Sequence, residues 1–524
     1  MTENAPAANE YLPQIHAVLP WVLAQVNRDP AAPTSGMADR VFWAWKTIDF
    51  PNATNQGVAN GLARLVANSL LPEFLPAPAA VGRVFDLAAG AARLTRRNGS
   101  LEEAFPHESS FCVTALVAFD LLAAHESLAG VASEGDRRRL LEIVAPWIEF
   151  LVKEDEDHAF ISNHLATASA ALLRWSRVES GADRAQARGR QLLDRVLRSQ
   201  SVEGWLPEYG GPDPGYLSLS LYYLADIFAG EGNGKDEFRD RLGRLVQFLT
   251  LAAHPDGSFG GWYGSRNTRF LVPAGFEALA GVIPEAAALA RFARASISQF
   301  RVPPLPAFDA GNFAPFFNAW CWAASLRAGP QASGESIHLP HEQPPFRRSL
   351  PGAGWLIDRG QQSYTIISLK KGGVVQHYPS GARAQIDSGV LVEDARGRQF
   401  GTQQPESVSW AVEGDVVVVR ARFSRLSREI PSPLRFIALR AMSLTLLHLR
   451  WFRHWLKRTL VRLLITGVRG IRLWNSRRID LSDHALVVDT LEGETARYAR
   501  IELRRPYSAI HMASQGYWQH QDDE

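Results

Sequence analysis

Only two cysteines occur in the 524 residues, Cys112 and Cys321, so no framework of disulfides holds this chain together. Both lie in apolar stretches of helical period, Phe111-Cys112-Val113 and Trp320-Cys321-Trp322, which predicts buried free thiols. Excess charge is missing as well. With 56 Lys and Arg against 54 Asp and Glu the formal charge is +2, which gives no electrostatic ground for bulk nucleic-acid binding. No uninterrupted apolar run approaches the roughly 20 residues that span a bilayer. The first residues, MTENAPAANEYLPQIH, hold no basic stretch followed by an apolar one, so a cytoplasmic location is the expectation. A phosphate-cradling GxxxxGK[ST] loop is absent, and neither a nicotinamide nor a phosphate cofactor is expected. No repeat of fixed period occurs, which argues against a consensus solenoid.

What is present is a globular composition, 46% hydrophobic and 21% charged, in a chain too long for one ordinary core. The 15 Trp residues serve either as core fillers or as platforms for sugar faces. From residue 1 to 328, apolar positions recur at three and four, as in Phe111–His125, Leu140–Val152, Ala166–Trp175, Leu217–Phe228 and Ala286–Phe300. Short Gly/Pro/Asn/Asp connections separate them, which predicts antiparallel helix pairs that stack or close into a ring. Residues 329–347 are polar and Pro-rich and read as a linker. Beyond them the period drops to two over Tyr364–Leu369, Gly389–Glu393, Val408–Val412, Asp415–Phe423, Ala485–Leu491 and Tyr498–Leu503, which predicts an antiparallel strand domain over 348–524.

Pro433–Thr466 interrupts the strands. It is helical in composition and contains no acidic residue, while Arg435, Arg440, Arg450, Arg453, Lys457, Arg458 and Arg462 alternate with Leu, Ile, Trp and Phe. Two readings stand: a basic amphipathic helix lying on an anionic membrane, peripheral at its inner face, or a helical excursion whose arginines are solvated or paired.

Five segments in order, Asp39–Gln56, Glu103–Thr114, Ile161–Leu173, Glu203–Tyr223 and His254–Thr268, resemble the heparinase II/III-like family, in particular bacterial members associated with capsule and exopolysaccharide genes. Lys370–Gly397 resembles that family's glycine-rich approach to its sandwich. The resemblance implies an incomplete (α/α) toroid followed by an antiparallel β-sandwich, with an acidic polysaccharide bound in the cleft between them. It requires no cofactor; some relatives hold a structural divalent metal in the sandwich, and that point stays open, although no His/Asp/Glu cluster has convincing ligand spacing.

The implied chemistry begins with the hydrogen on C5 of a uronic acid, beside the carboxylate. Its removal as a proton leaves charge delocalised into the carboxylate, which an amide or imidazolium must neutralise. A base must reach C5, and an acid must protonate the oxygen leaving C4. By the resemblance, Asn163 and His164 stand where the family places its neutralising Asn or His; a helix cap and a core histidine are the plain alternatives. Tyr216, after the Gly-Pro-Asp-Pro-Gly loop, stands where the family has its catalytic acid/base. Tyrosine titrates near about 10 and needs cationic neighbours to act as base. Arg266 and Arg269 are candidates for that part, or for a bidentate hold on the substrate carboxylate. Glu208 and Tyr209 lie in the same loop, and Trp205, Trp262 and Tyr263 are candidate sugar platforms. The family usually offers a His before the Asp that begins the strand leading into the sheet. Here Gln385 stands at that position, before Ile386-Asp387, and His377 is the nearest substitute.

The leading expectation is therefore a lyase that cleaves a uronate-containing polysaccharide by β-elimination. A uronosyl C5-epimerase working on a membrane-linked glycan is the close alternative, favoured by the basic segment. A glycan-binding protein without catalysis is the third, favoured by Gln385.

Overall fold

The computed structural model describes residues 9–156, 159–231, 236–327, 337–426, 432–461, 467–482, 485–510 and 517. An all-helical toroid comes first. Its inner helices are α2 (Ala59–Ala67), α4 (Phe111–Ser127), α6 (Ser162–Val178), α8 (Pro214–Gly230), α10 (Ala274–Leu279) and α12 (Ala310–Arg327). Each packs on the next, and α12 returns to α2. α10 has only six residues, so the wall is low on that side, and in this sense the ring is incomplete. α3 (Ala77–Leu94), α5 (Glu134–Lys153), α7 (Asp183–Arg198), α9 (Asp236–Thr250) and α11 (Pro284–Ser298) pack outside the inner helices, and α1 (Leu12–Gln25) packs on α12.

Composition decides which layer a helix joins. α4, α8 and α12 are apolar nearly all round and are buried on almost every face, as a helix with neighbours on all sides must be. α7 buries only Ala185, Gly189, Leu192, Leu193 and Val196, one stripe of an otherwise charged helix. Cys321 is buried and Cys112 half-buried, both as free thiols.

Two antiparallel sheets follow. The first is a meander of β1 (Phe346–Leu350), β2 (Trp355–Arg359), β3 (Ser363–Ser368), β4 (Val374–Pro379) and β5 (Gln385–Asp387). The second contains β6 (Leu391–Asp394), β7 (Gln399–Gly401), β8 (Val408–Glu413), β9 (Val416–Arg425), β10 (Gly470–Asp480), β11 (Leu486–Gly493) and β12 (Tyr498–Ile501). Of the stretch read as a linker, residues 329–336 lie outside the described residues; β1 begins within its end, at Phe346.

Alternation along the first sheet sends successive side chains to two different cores. Leu356, Ile367 and Val375 meet Val417, Val419 and Ile479 of the second sheet. Trp355, Ile357, Tyr364, Ile366 and Tyr378 join the core of the toroid instead. Polar contacts pin that face. Tyr364 Oη donates to the Leu251 carbonyl at 2.8 Å, and Trp355 Nε1 to the Tyr263 carbonyl at 3.1 Å. Lys371 Nζ donates to the carbonyls of Trp262 and Gly264, both at 2.7 Å, and to Asn267 Oδ1.

The excursion within the second sheet is helical: α13 (Pro433–Thr445), a turn at Leu446–His448, and α14 (Arg450–Val461). Residues 462–466, with Arg462, lie outside the described residues. Leu447 and Leu456 pack on Phe105 of the toroid. Lys457 pairs with Glu108 at 2.9 Å, Arg450 with Glu154 at 2.9 Å and Arg440 with Asp49 at 2.8 Å. Among the described residues no helix is long and apolar enough to cross a membrane.

Lys371→Met should lower stability by about 3 kcal/mol, because it leaves three buried oxygens without their donor. Thermal unfolding of the variant and parent measures this; an unchanged melting temperature would mean that Lys371 does not pin the two parts together.

Candidate active site

In a ring of helix pairs, alternate helices run in the same direction, so the starts of α4, α6, α8 and α10 gather at one mouth of the toroid. The loop between α7 and α8 and the loop before α10 meet there on Asp213. Asp-Pro is a strong helix-start sequence, with Asp as N-cap and Pro at the first helical position. Asp213 accordingly caps α8, its Oδ1 accepting from the Tyr216 amide at 3.3 Å. The same buried carboxylate accepts from the Arg266 amide at 2.9 Å, the Thr268 amide at 3.4 Å and the Thr268 hydroxyl. One side chain thereby sets the start of α8 and the path of the loop carrying Arg266.

That coupling places the Arg266 guanidinium carbon 3.4 Å from the centre of the Tyr216 ring and 5.2 Å from that of Tyr209. Such a cation favours electron density in the ring and negative charge on the phenol oxygen. Arg266 also pairs with Glu208 at 3.5 Å, and its buried Nε has no hydrogen-bond partner among the described residues. Burial opposes the charge of Arg266, but Tyr216, Glu208 and Tyr209 hold its pKa above the ordinary arginine value.

Glu208 has no solvent exposure. It accepts from Asn163 Nδ2 at 3.0 and 3.1 Å and from the Asn163 amide at 3.1 Å, placing a carboxylate on the start of α6, where the helix dipole favours one. Burial nevertheless pushes its pKa up to about 7, against the opposing pull of Arg266 and Asn163. Asn163 is not a helix cap: that position belongs to Ile161, and Asn163 is the second residue of α6. His164, one residue on, turns to buried Glu156, its Nδ1 lying 2.8 Å from Oε2. Burial raises the pKa of Tyr209 above the usual phenol value, with Arg266 opposing.

The structure therefore brings together Asn163, Glu208, Tyr209, Tyr216 and Arg266, with His164 beside them. His377, Gln385, Trp262 and Tyr263 are corrected, and Trp205 and Arg269 lie elsewhere. His377 is buried and bonds Thr365 across the strands at 2.8 Å. Its neighbours Gln376 and Tyr378 reach the Trp262 amide and His254 of the toroid, so pleat alternation turns His377 away from the mouth. Gln385 is the direct partner of His377 in the ladder, shares its face, and points away with it. Trp262 and Tyr263 are almost fully buried. Trp262 packs on Val374, Tyr263 bonds His254 at 2.8 Å, and neither offers a face to a sugar. Trp205 is half-buried and bonds Glu203 at 2.9 Å; Glu203 in turn accepts the Gly352 and Ala353 amides of the first sheet. Arg269 is buried, with its charge felt by His254 and Tyr378.

Sequence reasoning missed Asp213, which the Asp-Pro helix start marks, and Glu156, which no spacing marks. It also missed that Arg453, His454 and Lys457 of α14 line a small cavity with Glu108, Glu154 and Glu156, beside His164. Among the described residues no group of three or more His, Cys, Asp or Glu is placed to hold a metal ion.

No family model matches the chain, and no curated protein matches it. Among solved structures, the chondroitin AC lyase of Streptomyces coelicolor, in complex with chondroitin sulphate, is similar with a TM-score of 0.50 at 13% identity, over 82% of this chain and 68% of that one. The fold is polysaccharide-lyase-like. A xanthan lyase from Paenibacillus gives 0.46 at 12% identity, over 82% of this chain and 46% of that one.

Glu208 generates a pH prediction. Its folded pKa of about 7 lies above the ordinary 4.5, so the folded state holds the proton more tightly between those values. The stability it contributes is full below about 4.5 and is lost as pH rises through about 7. The melting temperature of the parent should fall more steeply across this window than that of Glu208→Gln. Parallel curves would remove Glu208 as the titrating group.

Proposed function

We propose that this chain is a carbon–oxygen lyase that cleaves a uronate-containing polysaccharide by β-elimination at the mouth of the toroid, in the manner of the heparinase II/III-like enzymes. The observation that carries the reading is the Arg266 guanidinium against the face of Tyr216, held by buried Glu208. Tyr216 takes the proton from C5, and the C4–oxygen bond breaks as the C4–C5 double bond forms. The same phenol then returns the proton to the departing oxygen. Arg266 favours the phenolate with which this sequence begins and to which it returns. The Asn163 amide, held in place by Glu208, neutralises charge developing on the uronate carboxylate. One group serving as base and then acid suits a mouth to which the sandwich turns neither His377 nor Gln385. The acidic polysaccharide in the chondroitin AC lyase complex supports the substrate class.

The epimerase reading retains one specific observation, a second phenol: Tyr209 lies on the same guanidinium as Tyr216. Epimerisation needs a proton delivered to the opposite face of C5, and a second phenol offers one.

Incubation with a panel of uronans should produce the ultraviolet absorbance of an unsaturated uronate. Tyr216→Phe should reduce that rate about 10²–10⁴-fold with little change in melting temperature. Asn163→Ala should also reduce turnover. Deuterium uptake at C5 without the absorbance would establish epimerisation instead, and binding with neither signal would leave a glycan-binding protein. More than half of the parent rate in Tyr216→Phe would remove that residue from the mechanism.

A further inference from the structure

The α13–α14 hairpin grips the toroid with one side and leaves the other open. Leu439, Met442, Phe452 and Leu460 join Leu447 and Leu456 over Phe105. Leu434, Ile437, Leu444, Trp451 and Trp455 lie outside that cluster and are between 54% and 77% exposed. Arg440 of α13 pairs with Asp49 and lies over the Phe50 ring of the toroid. Residues 432–461 contain six Lys or Arg and no Asp or Glu.

We propose that this face docks the protein on an anionic lipid bilayer, with the hairpin lying in the headgroup layer. Large apolar side chains at this exposure stand out from convex helices, which suit a soft planar phase better than the groove of a protein partner. Trp and Arg together are the residues that settle at a membrane–water interface. Arg440, Arg450 and Lys457 pair with acids of the toroid, but the hairpin itself brings no acidic group to oppose anionic headgroups. A second copy is disfavoured by the same charge, because a two-fold contact would set one cationic hairpin against another. Docking would also fix where the mouth of the toroid lies. Lys457 of α14 holds Glu108 just before α4, and the cavity beside it includes Glu156, the partner of His164. A bilayer under the hairpin would bring membrane-attached glycans to the cleft. That last consequence rests on the proposed function; the docking does not.

The test is co-sedimentation of the full chain with vesicles of phosphatidylglycerol, against vesicles of phosphatidylcholine alone. Strong retention on the anionic vesicles, weak retention on the neutral ones, and partial persistence at raised salt are expected, because salt screens the charges but not the apolar insertion. The combined variant Leu434→Ser, Ile437→Ser, Leu444→Ser and Trp451→Ser should bind at least about tenfold more weakly. It should keep the melting temperature and any activity on soluble substrate, since each side chain is exposed. If the parent stays in the supernatant at low salt, or the variant binds as well as the parent, the proposal is overturned. A parent that is dimeric by light scattering, with a monomeric variant and no vesicle binding by either, assigns the face to a second copy and also overturns it.

Discussion

Asp213 has no solvent contact, and its two carboxylate oxygens take hydrogen bonds from a helix start and from a loop some fifty residues later. A buried carboxylate is stable only when such donors surround it, so the loop carrying Arg266 is held in one path relative to α8. Every other relation in the site depends on that path. Tyr216 rises from the capped turn, Arg266 lies on its ring, and Glu208 receives Arg266 on one side and Asn163 on the other. The residues form a chain of contacts in which no member can shift without disturbing the next.

The part played by the sandwich is set by the parity of its strands. In β4, Gln376 and Tyr378 turn toward the toroid and hold the Trp262 amide and His254. Gly261 has φ +151°, and a Cβ there would collide with the Gln376 amide, so the two parts approach closely at a position that needs glycine. Burial pushes the pKa of His254 down to about 3, so the imidazole is neutral at ordinary pH and its bonds to Ser258, Tyr263 and Tyr378 are insensitive to titration there. The sheet thus supplies rigidity beside the mouth. The alternate residues, His377 and Thr365, bond each other inside the sandwich.

Periodicity made the architecture legible: a long train of three-and-four patterns followed by alternation has few solutions, and the apolar character of α4, α8 and α12 separates inner from outer helices. Of the candidate site, Asn163 and Tyr216 were marked by the resemblance, and Glu208 and Arg266 by lying in the loops that lead to and follow Tyr216. Gln385 and His377 were misread for a physical reason. Their nearness in sequence to a strand says nothing about which face they take, and a shift of one residue reverses it. Trp262 and Tyr263 were misread because a loop in an interface is as dry as a core. Glu156 was invisible because its contact with His164 depends on how the α5–α6 connection folds back. The basic segment was readable as helical and cationic, but not the pairing of Arg440, Arg450 and Lys457 with acids of the toroid.

The first sheet gives one face to the toroid and the other to the second sheet, so the change of residue period near the linker does not mark a change of core. Trp355 stacks on Phe248 of α9, and Tyr364 hangs from the carbonyl of Leu251. Recombination between relatives would therefore be poorly tolerated at the linker, where an exchanged sandwich would set a foreign sheet against the toroid. A cut between β5 and β6 would fare no better, because Leu356, Ile367 and Val375 pack on Val417, Val419 and Ile479 of the second sheet and Arg477 reaches back to Asp387.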